Sequence, residues 1–201
     1  MLKNFEKIWR ERKVDWNKAY FVLNHPHRIL ICMELLRFKF KSVFEIGCGA
    51  GANLFNIHAV FKGAEVGGTD INSEAVATAL RNLPFAKDLN VGTADNIFFS
   101  DKSIDVLLTD ACLLYVGPFK IKKVLKEMAR VARNGIILCE LWRPKWWQRF
   151  MIWWYEGYWL HNWPKILPKY GFYDVKITKI TKEQWPDSLW FTCGYIISCR
   201  C

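Results

Sequence analysis

Val43-Phe44-Glu45-Ile46-Gly47-Cys48-Gly49-Ala50-Gly51 runs from an apolar stretch into three alternating glycines. The stretch Ser42–Ile46 is short and apolar, as a buried strand is, and residues 53–61 carry helical spacing. Strand, glycine turn and helix in that order place free backbone N–H groups at a helix start, beside the C-terminal edge of a sheet. Open α/β folds bind ligands at that edge. Outward from this unit the chain alternates. Residues 64–69, 90–94, Ile104–Asp110 and 135–141 read as strands, and residues 73–83 and 118–132 as helices. Strands alternating with helices predict a parallel sheet covered on both faces. A helix near 164–170 precedes two last strands, 174–180 and 189–198. These have no helix between them and a turn at Pro186-Asp187, so they predict an antiparallel edge. Upstream, a helix starting at Pro26 is expected to bury Ile29, Leu30, Met33 and Leu36.

The 201 residues suit one domain, which divides into a helical extension at 1–41 covering the site and a main body at 42–201. Hydrophobic residues make up 52% and charged residues 24%, which excludes disordered and low-complexity classes. No apolar run is long enough to cross a membrane, and the first residues lack the apolar core of a signal peptide. Seven cysteines without a C-x-x-C pair predict a reduced, cytoplasmic chain with no zinc site. Cys48, Cys112 and Cys139 read as small buried fillers, and Phe55 and Phe61 as core.

Charge is segregated. Residues 1–41 hold 10 bases and 4 acids, residues 42–117 hold 4 and 9, and residues 118–201 hold 15 and 6. An acidic middle between basic flanks suits a cationic small molecule inside a protein that meets anionic partners. The bases between Lys120 and Arg133 keep to the solvent side of a helix, because Ile121, Val124, Leu125, Met128 and Val131 form its apolar stripe.

The glycine turn alone also satisfies the dinucleotide pattern G-x-G-x-x-A, so it does not separate a nicotinamide enzyme from a nucleoside-binding one. Three features do. Glu45 puts a carboxylate at the mouth of the turn, which repels a pyrophosphate and attracts an ammonium or sulfonium. Gly92-Thr93-Ala94-Asp95-Asn96 supplies an acceptor after the third strand. The sheet ends in an antiparallel edge. With these, the chain resembles the class I (Rossmann-like) S-adenosylmethionine-dependent methyltransferases, of the small-domain type similar to the quinone-biosynthesis group. The motifs that carry the resemblance span about 42–133.

The resemblance implies a mostly parallel seven-stranded sheet, S-adenosylmethionine as cofactor and S-adenosylhomocysteine as product. It casts Glu45, Gly47, Gly49 and Gly51 as the loop around the methionine part. Asp70 becomes the ribose acceptor, Ile71 the residue stacked on adenine, and Asp95 the acceptor for the adenine amino group, with Asn96 beside it. Asp110 falls where cofactor and acceptor meet.

The methyl acceptor is narrowed by exclusion. Thr109-Asp110-Ala111-Cys112 stands where amino-methylating DNA enzymes of this fold carry [DNS]-P-P-[FYW]. No proline precedes a cysteine, as the carbon-5 cytosine enzymes require. A small, partly hydrophobic or aromatic molecule with an oxygen or nitrogen nucleophile is expected. The basic flanks keep RNA in play, and a non-catalytic cofactor-binding subunit is a further alternative. If a base is needed, His161, His25, Tyr115 and Asp110 are the candidates, with His161 foremost. Tyr20, His25, His27, Arg28, Trp142 and His161 are expected acceptor contacts. Between Leu141 and Trp163 fall seven of the 11 tryptophans. That stretch is expected to form a helical lid over the acceptor, with a membrane headgroup zone as its other natural setting.

Overall fold

The computed structural model describes residues 3–201. Its elements are α1 (Phe5–Arg10), α2 (Trp16–Tyr20), α3 (His27–Leu35), β1 (Ser42–Ile46), α4 (Ala52–Val60), β2 (Glu65–Asp70), α5 (Ser73–Asn82) and β3 (Leu89–Val91). There follow β4 (Ile104–Asp110), α6 (Lys120–Val131), β5 (Ala132–Leu141), α7 (Trp146–Glu156), α8 (Trp163–Ile166), β6 (Tyr173–Lys179), α9 (Ser188–Cys193) and β7 (Gly194–Arg200). Among the described residues seven strands form one sheet, in the order β3-β2-β1-β4-β5-β7-β6. Neighbours from β3 to β5 are parallel, whereas β7 is antiparallel to both β5 and β6. This is the expected α/β architecture.

Alternation along the central strands divides the core between the two faces. Val43, Val106, Leu108, Ile137 and Cys139 pack with Ile31 and Leu35 of α3 and Leu54 and Ile57 of α4. Phe44, Leu107, Ile136 and Leu138 pack with Ile121, Leu125 and Met128 of α6 and with Trp163. The register pairs Ile46 with both Thr69 and Thr109, so the ends of β1, β2 and β4 lie side by side. The order reverses between β1 and β4, and a crevice opens there.

Four expectations need correction. Residues 92–94 lie outside β3, which ends at Val91. Residues 189–193 belong to α9, because Asp187 caps that helix by accepting from the Leu189 and Trp190 N–H groups. A short helix therefore does separate the last two strands. Residues 167–170 form a 3₁₀ turn rather than continuing α8. The face of α3 is also inverted. Ile29, Met33 and Leu36 are exposed, and the buried face carries His27, Ile31, Cys32, Glu34 and Leu35. The inward polar groups have partners. Glu34 accepts from Ser198 Oγ at 2.7 Å and pairs with Lys176, while His27 meets Asp110.

One buried carboxylate holds the turn that follows β4. Glu140 of β5 accepts from Thr109 Oγ1 (3.0 Å) and from the N–H groups of Cys112 (3.0 Å), Leu113 (2.8 Å) and Leu114 (3.1 Å). Ala111, at a left-handed φ of 52°, turns the chain into that position. Glu140→Leu strands all these donors in an apolar setting. It should cost more than about 3 kcal/mol in urea unfolding, since each buried donor left unpaired costs about 1–3 kcal/mol. Glu140→Gln, which keeps one carbonyl oxygen, should fall between it and wild type.

Candidate functional site

A cavity of about 640 Å³ opens at the C-terminal edge of the sheet. Its base is made by Ile46, Gly47 and Gly49 after β1, Thr69 to Ile71 after β2, and Asp110 to Cys112 after β4. The other walls come from Phe5, Trp9, Trp16 and Tyr20 of the N-terminal segment, and from Tyr115, Trp159 and Trp185.

The glycine turn does not present the free N–H groups expected of it. Gly47 and Cys48 donate to Thr69 O (2.7 and 3.0 Å), and Gly51 donates to Cys48 O at 2.9 Å. Gly49 donates to Asp70 Oδ2 at 2.9 Å. Gly47 sits at φ 77°, and a Cβ there would stand 2.6 Å from Cys112 Sγ. A Cβ at Gly51 would strike Leu83 Cδ1 at 2.4 Å, so this glycine serves the packing of α4 on α5. At Gly49 a Cβ would meet nothing.

Below the turn lies a charged network. Asn53, at the start of α4, donates from Nδ2 to Glu45 Oε1 (2.6 Å) and to Asp110 Oδ2 (2.9 Å). His27 Nε2 donates to Asp110 Oδ2 at 2.8 Å, and the Arg28 guanidinium stands 3.6 Å from the same oxygen. Arg28 also donates to Asn53 Oδ1 and to Val22 O. Two buried oxygens in this network, Glu45 Oε2 and Asp110 Oδ1, have no donor among the described residues. Burial pushes Glu45 up to about 8, against the pull of Asn53 and with a further push from Asp110. Burial alone would raise Asp110 too, but His27, Arg28 and Asn53 outweigh it and hold its carboxyl below the usual carboxylate range.

Not every expected residue reaches the cavity. Gly47, Gly49, Asp70, Ile71, Asp110, Tyr20, His25, Arg28 and Tyr115 line it, and Glu45 lies buried beneath. Asp95 stands behind Lys120, paired with it at 3.1 Å, and Lys120 also reaches Glu6 at 2.7 Å. Asn96 is exposed, in a bridge with Thr93.

His161 is a correction. It is buried, bonds Val116 O at 2.9 Å, packs against Trp163 and does not line the cavity. Burial lowers it to about 4. Trp142 also lies off the cavity, against Tyr195. Asp110 keeps Oδ2 paired with His27, Arg28 and Asn53, while Oδ1 has no partner among the described residues. Tyr115 is pushed up by burial and by Tyr158, and its ring packs on Phe5 and Trp9.

The expected lid is corrected as well. α7 has no buried residue, and from the Trp-rich stretch Trp159 alone lines the cavity. Cover comes instead from residues 3–28 and from Trp185, which stacks on Trp190 (3.9 Å, 5°) and meets His27 at 4.2 Å. Asn53, Trp185 and Glu140 carried no sequence signal. Their roles depend on partners distant in the chain, 57 residues away for Asn53 and Asp110 and 26 or more for Glu140, brought together only by the sheet.

Residues 43–135 match the family model described as "Methyltransferase domain". No curated protein matches the sequence. Solved structures share the fold. A chain from the Haloferax volcanii complex containing the Trm112 methyltransferase activator aligns at 16% identity with a TM-score of 0.68, covering 92% of this chain and 96% of that one. Haemonchus contortus phosphoethanolamine N-methyltransferase 2, in complex with S-adenosyl-L-methionine, aligns at 15% and 0.67, covering 100% of this chain and 60% of that one. Magnesium protoporphyrin IX methyltransferase from Synechocystis PCC 6803, with bound S-adenosylmethionine, aligns at 17% and 0.62, covering 98% and 89%. Residues 43–135 thus carry a methyltransferase domain, and S-adenosylmethionine is bound in two of the solved structures that share its fold.

Asp110→Asn removes the charge that His27 and Arg28 share. It should cost about 3 kcal/mol or more in urea unfolding, the loss typical of breaking a buried ion pair. Limited trypsin digestion should then cut faster at Arg28.

Proposed function

We propose that this domain transfers the cofactor's methyl group to an oxygen or nitrogen of a small, partly hydrophobic or aromatic acceptor. The observation that carries the reading is the pair of unpartnered carboxylate oxygens, Glu45 Oε2 and Asp110 Oδ1, beside a glycine turn with its N–H groups already used. A pyrophosphate would find the N–H groups of Gly47, Cys48, Gly49 and Gly51 already bonded. An ammonium or sulfonium finds two carboxyl oxygens without a partner. We assign Glu45, Gly47 and Gly49 to the methionine end, Asp70 to the ribose hydroxyls and Ile71 to the adenine face. Asp95, held behind Lys120, is given no direct contact. When bound, the cofactor supplies a methyl on a sulfonium, already a good leaving group. The chain's own work is then alignment and water exclusion.

The rings of Phe5, Trp9, Tyr20, Tyr115 and Trp159 make the remaining wall apolar and aromatic, which supports the choice of acceptor. The Haemonchus and Synechocystis proteins are named for small-molecule acceptors, phosphoethanolamine and magnesium protoporphyrin IX. The quinone-biosynthesis likeness rests on the sequence resemblance alone, and RNA has no observation of its own at this cavity. Free thiols at all seven cysteines agree with a cytoplasmic setting.

For an acceptor that keeps its proton, we assign the base to His25. His27 donates from Nε2 to Asp110, so its Nδ1 is an acceptor in the neutral ring. His25 Nδ1 lies 2.5 Å from it and therefore carries the hydrogen. That leaves His25 Nε2 bare, with no protein partner among the described residues, on a ring that lines the cavity. Burial is the main cause that lowers His25 to about 4, so it is neutral at pH 7. A proton taken at Nε2 is balanced by Asp110 through His27. His27 is a positioning residue in this scheme.

Calorimetry tests the cofactor reading. S-adenosylmethionine should bind and NAD should not, and Asp70→Ala should weaken binding about tenfold or more. Because burial holds Glu45 near 8, a cationic ligand should drive off its proton. Affinity should therefore rise with pH up to about 8. The apparent enthalpy should depend on the buffer's ionisation heat, and Glu45→Gln should lose both effects. Tighter NAD binding, or unchanged affinity in Asp70→Ala, would overturn the assignment.

Once an acceptor is in hand, His25→Ala should slow transfer about 10²–10⁴-fold, and His161→Ala less than tenfold. The wild-type rate should fall as pH drops through about 4, where His25 gains its proton.

A further inference from the structure

α7 is amphipathic the wrong way round. At 100° per residue, Trp146, Phe150, Trp154, Trp147, Met151 and Tyr155 fill one continuous half of its circumference. All six are exposed, Trp146 by 72%, Trp154 by 67% and Tyr155 by 74%. The opposite half, which faces the protein, carries Gln148, Arg149, Ile152 and Trp153. Arg149 is spent within the chain, donating to Arg143 O and Pro144 O at 2.7 Å each. A patch of six large apolar side chains on one helix needs an occupant other than water.

We propose that α7 docks this protein on an anionic phospholipid surface, its tryptophans at headgroup depth. Charge selects this occupant. Residues 141–173 hold five bases, Arg143, Lys145, Arg149, Lys165 and Lys169, against the single acid Glu156. Exposed Lys145 stands at one end of the patch, 5.9 Å over the Trp147 ring, and exposed Lys3 at the other, bonded to Glu156 O. The core of a protein interface is depleted of charge, whereas bases frame this patch on both ends. Tryptophan and tyrosine, apolar in body and polar at the tip, are the residues of the membrane interface, and nearby bases add attraction to anionic lipid. No helix among the described residues is long and apolar enough to cross a membrane, so the contact is peripheral.

Position gives the docking a purpose. Trp153 of α7 packs on Trp159 at 5.4 Å, and Trp159 lines the cavity beside Lys3 and Phe5. An amphipathic acceptor held in the lipid surface would enter beside α7. This last step rests on the methyl-transfer reading; the docking itself does not, and it is measured without activity.

Full-length protein is sedimented with vesicles of phosphatidylcholine and with an equimolar mixture of phosphatidylcholine and phosphatidylglycerol. Binding to the anionic vesicles is expected, with a blue shift of tryptophan emission and release by high salt. The double variant F150S/W154S, altered only at exposed positions, should bind those vesicles at least tenfold more weakly. Its S-adenosylmethionine affinity and circular dichroism should match wild type. Three results would overturn the proposal. One is no binding of wild type to anionic vesicles, and another is equal binding by the double variant. The third is a wild-type dimer, dissolved by the double variant, that ignores vesicles; α7 would then be a self-association face.

Discussion

Asp110 ends β4 with its carboxylate withdrawn from water, and an ion so placed persists only where partners are supplied from several directions. They come from α4 through Asn53 and from the start of α3 through His27 and Arg28. The same carboxylate therefore fastens residues 25–28 over the sheet edge and, through Asn53, fixes Glu45 under the glycine turn. Cover, floor and charge of the cavity are thus coupled at one oxygen, Oδ2. The other oxygen, Oδ1, is left without a donor, and so is Glu45 Oε2. In the function proposed above, a cation completes this network.

The hydrogen-bond accounting of the glycine turn leads to the same chemistry. In a phosphate-binding turn the backbone N–H groups point at the ligand. Here Thr69 O, Cys48 O and Asp70 Oδ2 take them. The turn keeps the shape that lets a ligand approach closely while presenting acceptors rather than donors, which separates a cationic cofactor from an anionic one. On the far side of the crevice Glu140 performs the mirror task. It gathers the N–H groups of Cys112 to Leu114 and so holds the second wall.

α3 and α7 depart from the usual rule that a helix turns its apolar stripe inward, for related reasons. α3 faces inward with His27 and Glu34 because ion pairs and Ser198 await them, which leaves Ile29, Met33 and Leu36 outside. α7 has no counterpart element over its aromatic half, so the stripe stays in solvent. Periodicity reports that a helix has two unlike faces. Which face turns inward is set by the surroundings.

The alternation of elements, the glycine turn, the acids at successive strand ends and the antiparallel edge were legible in the sequence, because each depends on residues close together in the chain. Strand periodicity, turn glycines and the Asp110 and Asp70 positions are local properties, and with them went the fold class and the family resemblance that implies the cofactor. What lay beyond reach depended on contacts between distant residues. His161 looked like a base until its ring proved buried against Val116 O, and the role we propose for His25 depends on His27 and Asp110 lining up behind it. Asn53 reads as one more polar residue at a helix start until Glu45 and Asp110 converge on its amide. The seven tryptophans between Leu141 and Trp163 were visible as an anomaly, but whether they faced core, cavity or solvent was decided by the packing of α7 alone. A side chain's partners in a folded sheet come from strands tens of residues apart, and only the tertiary structure brings them within the reach of a hydrogen bond.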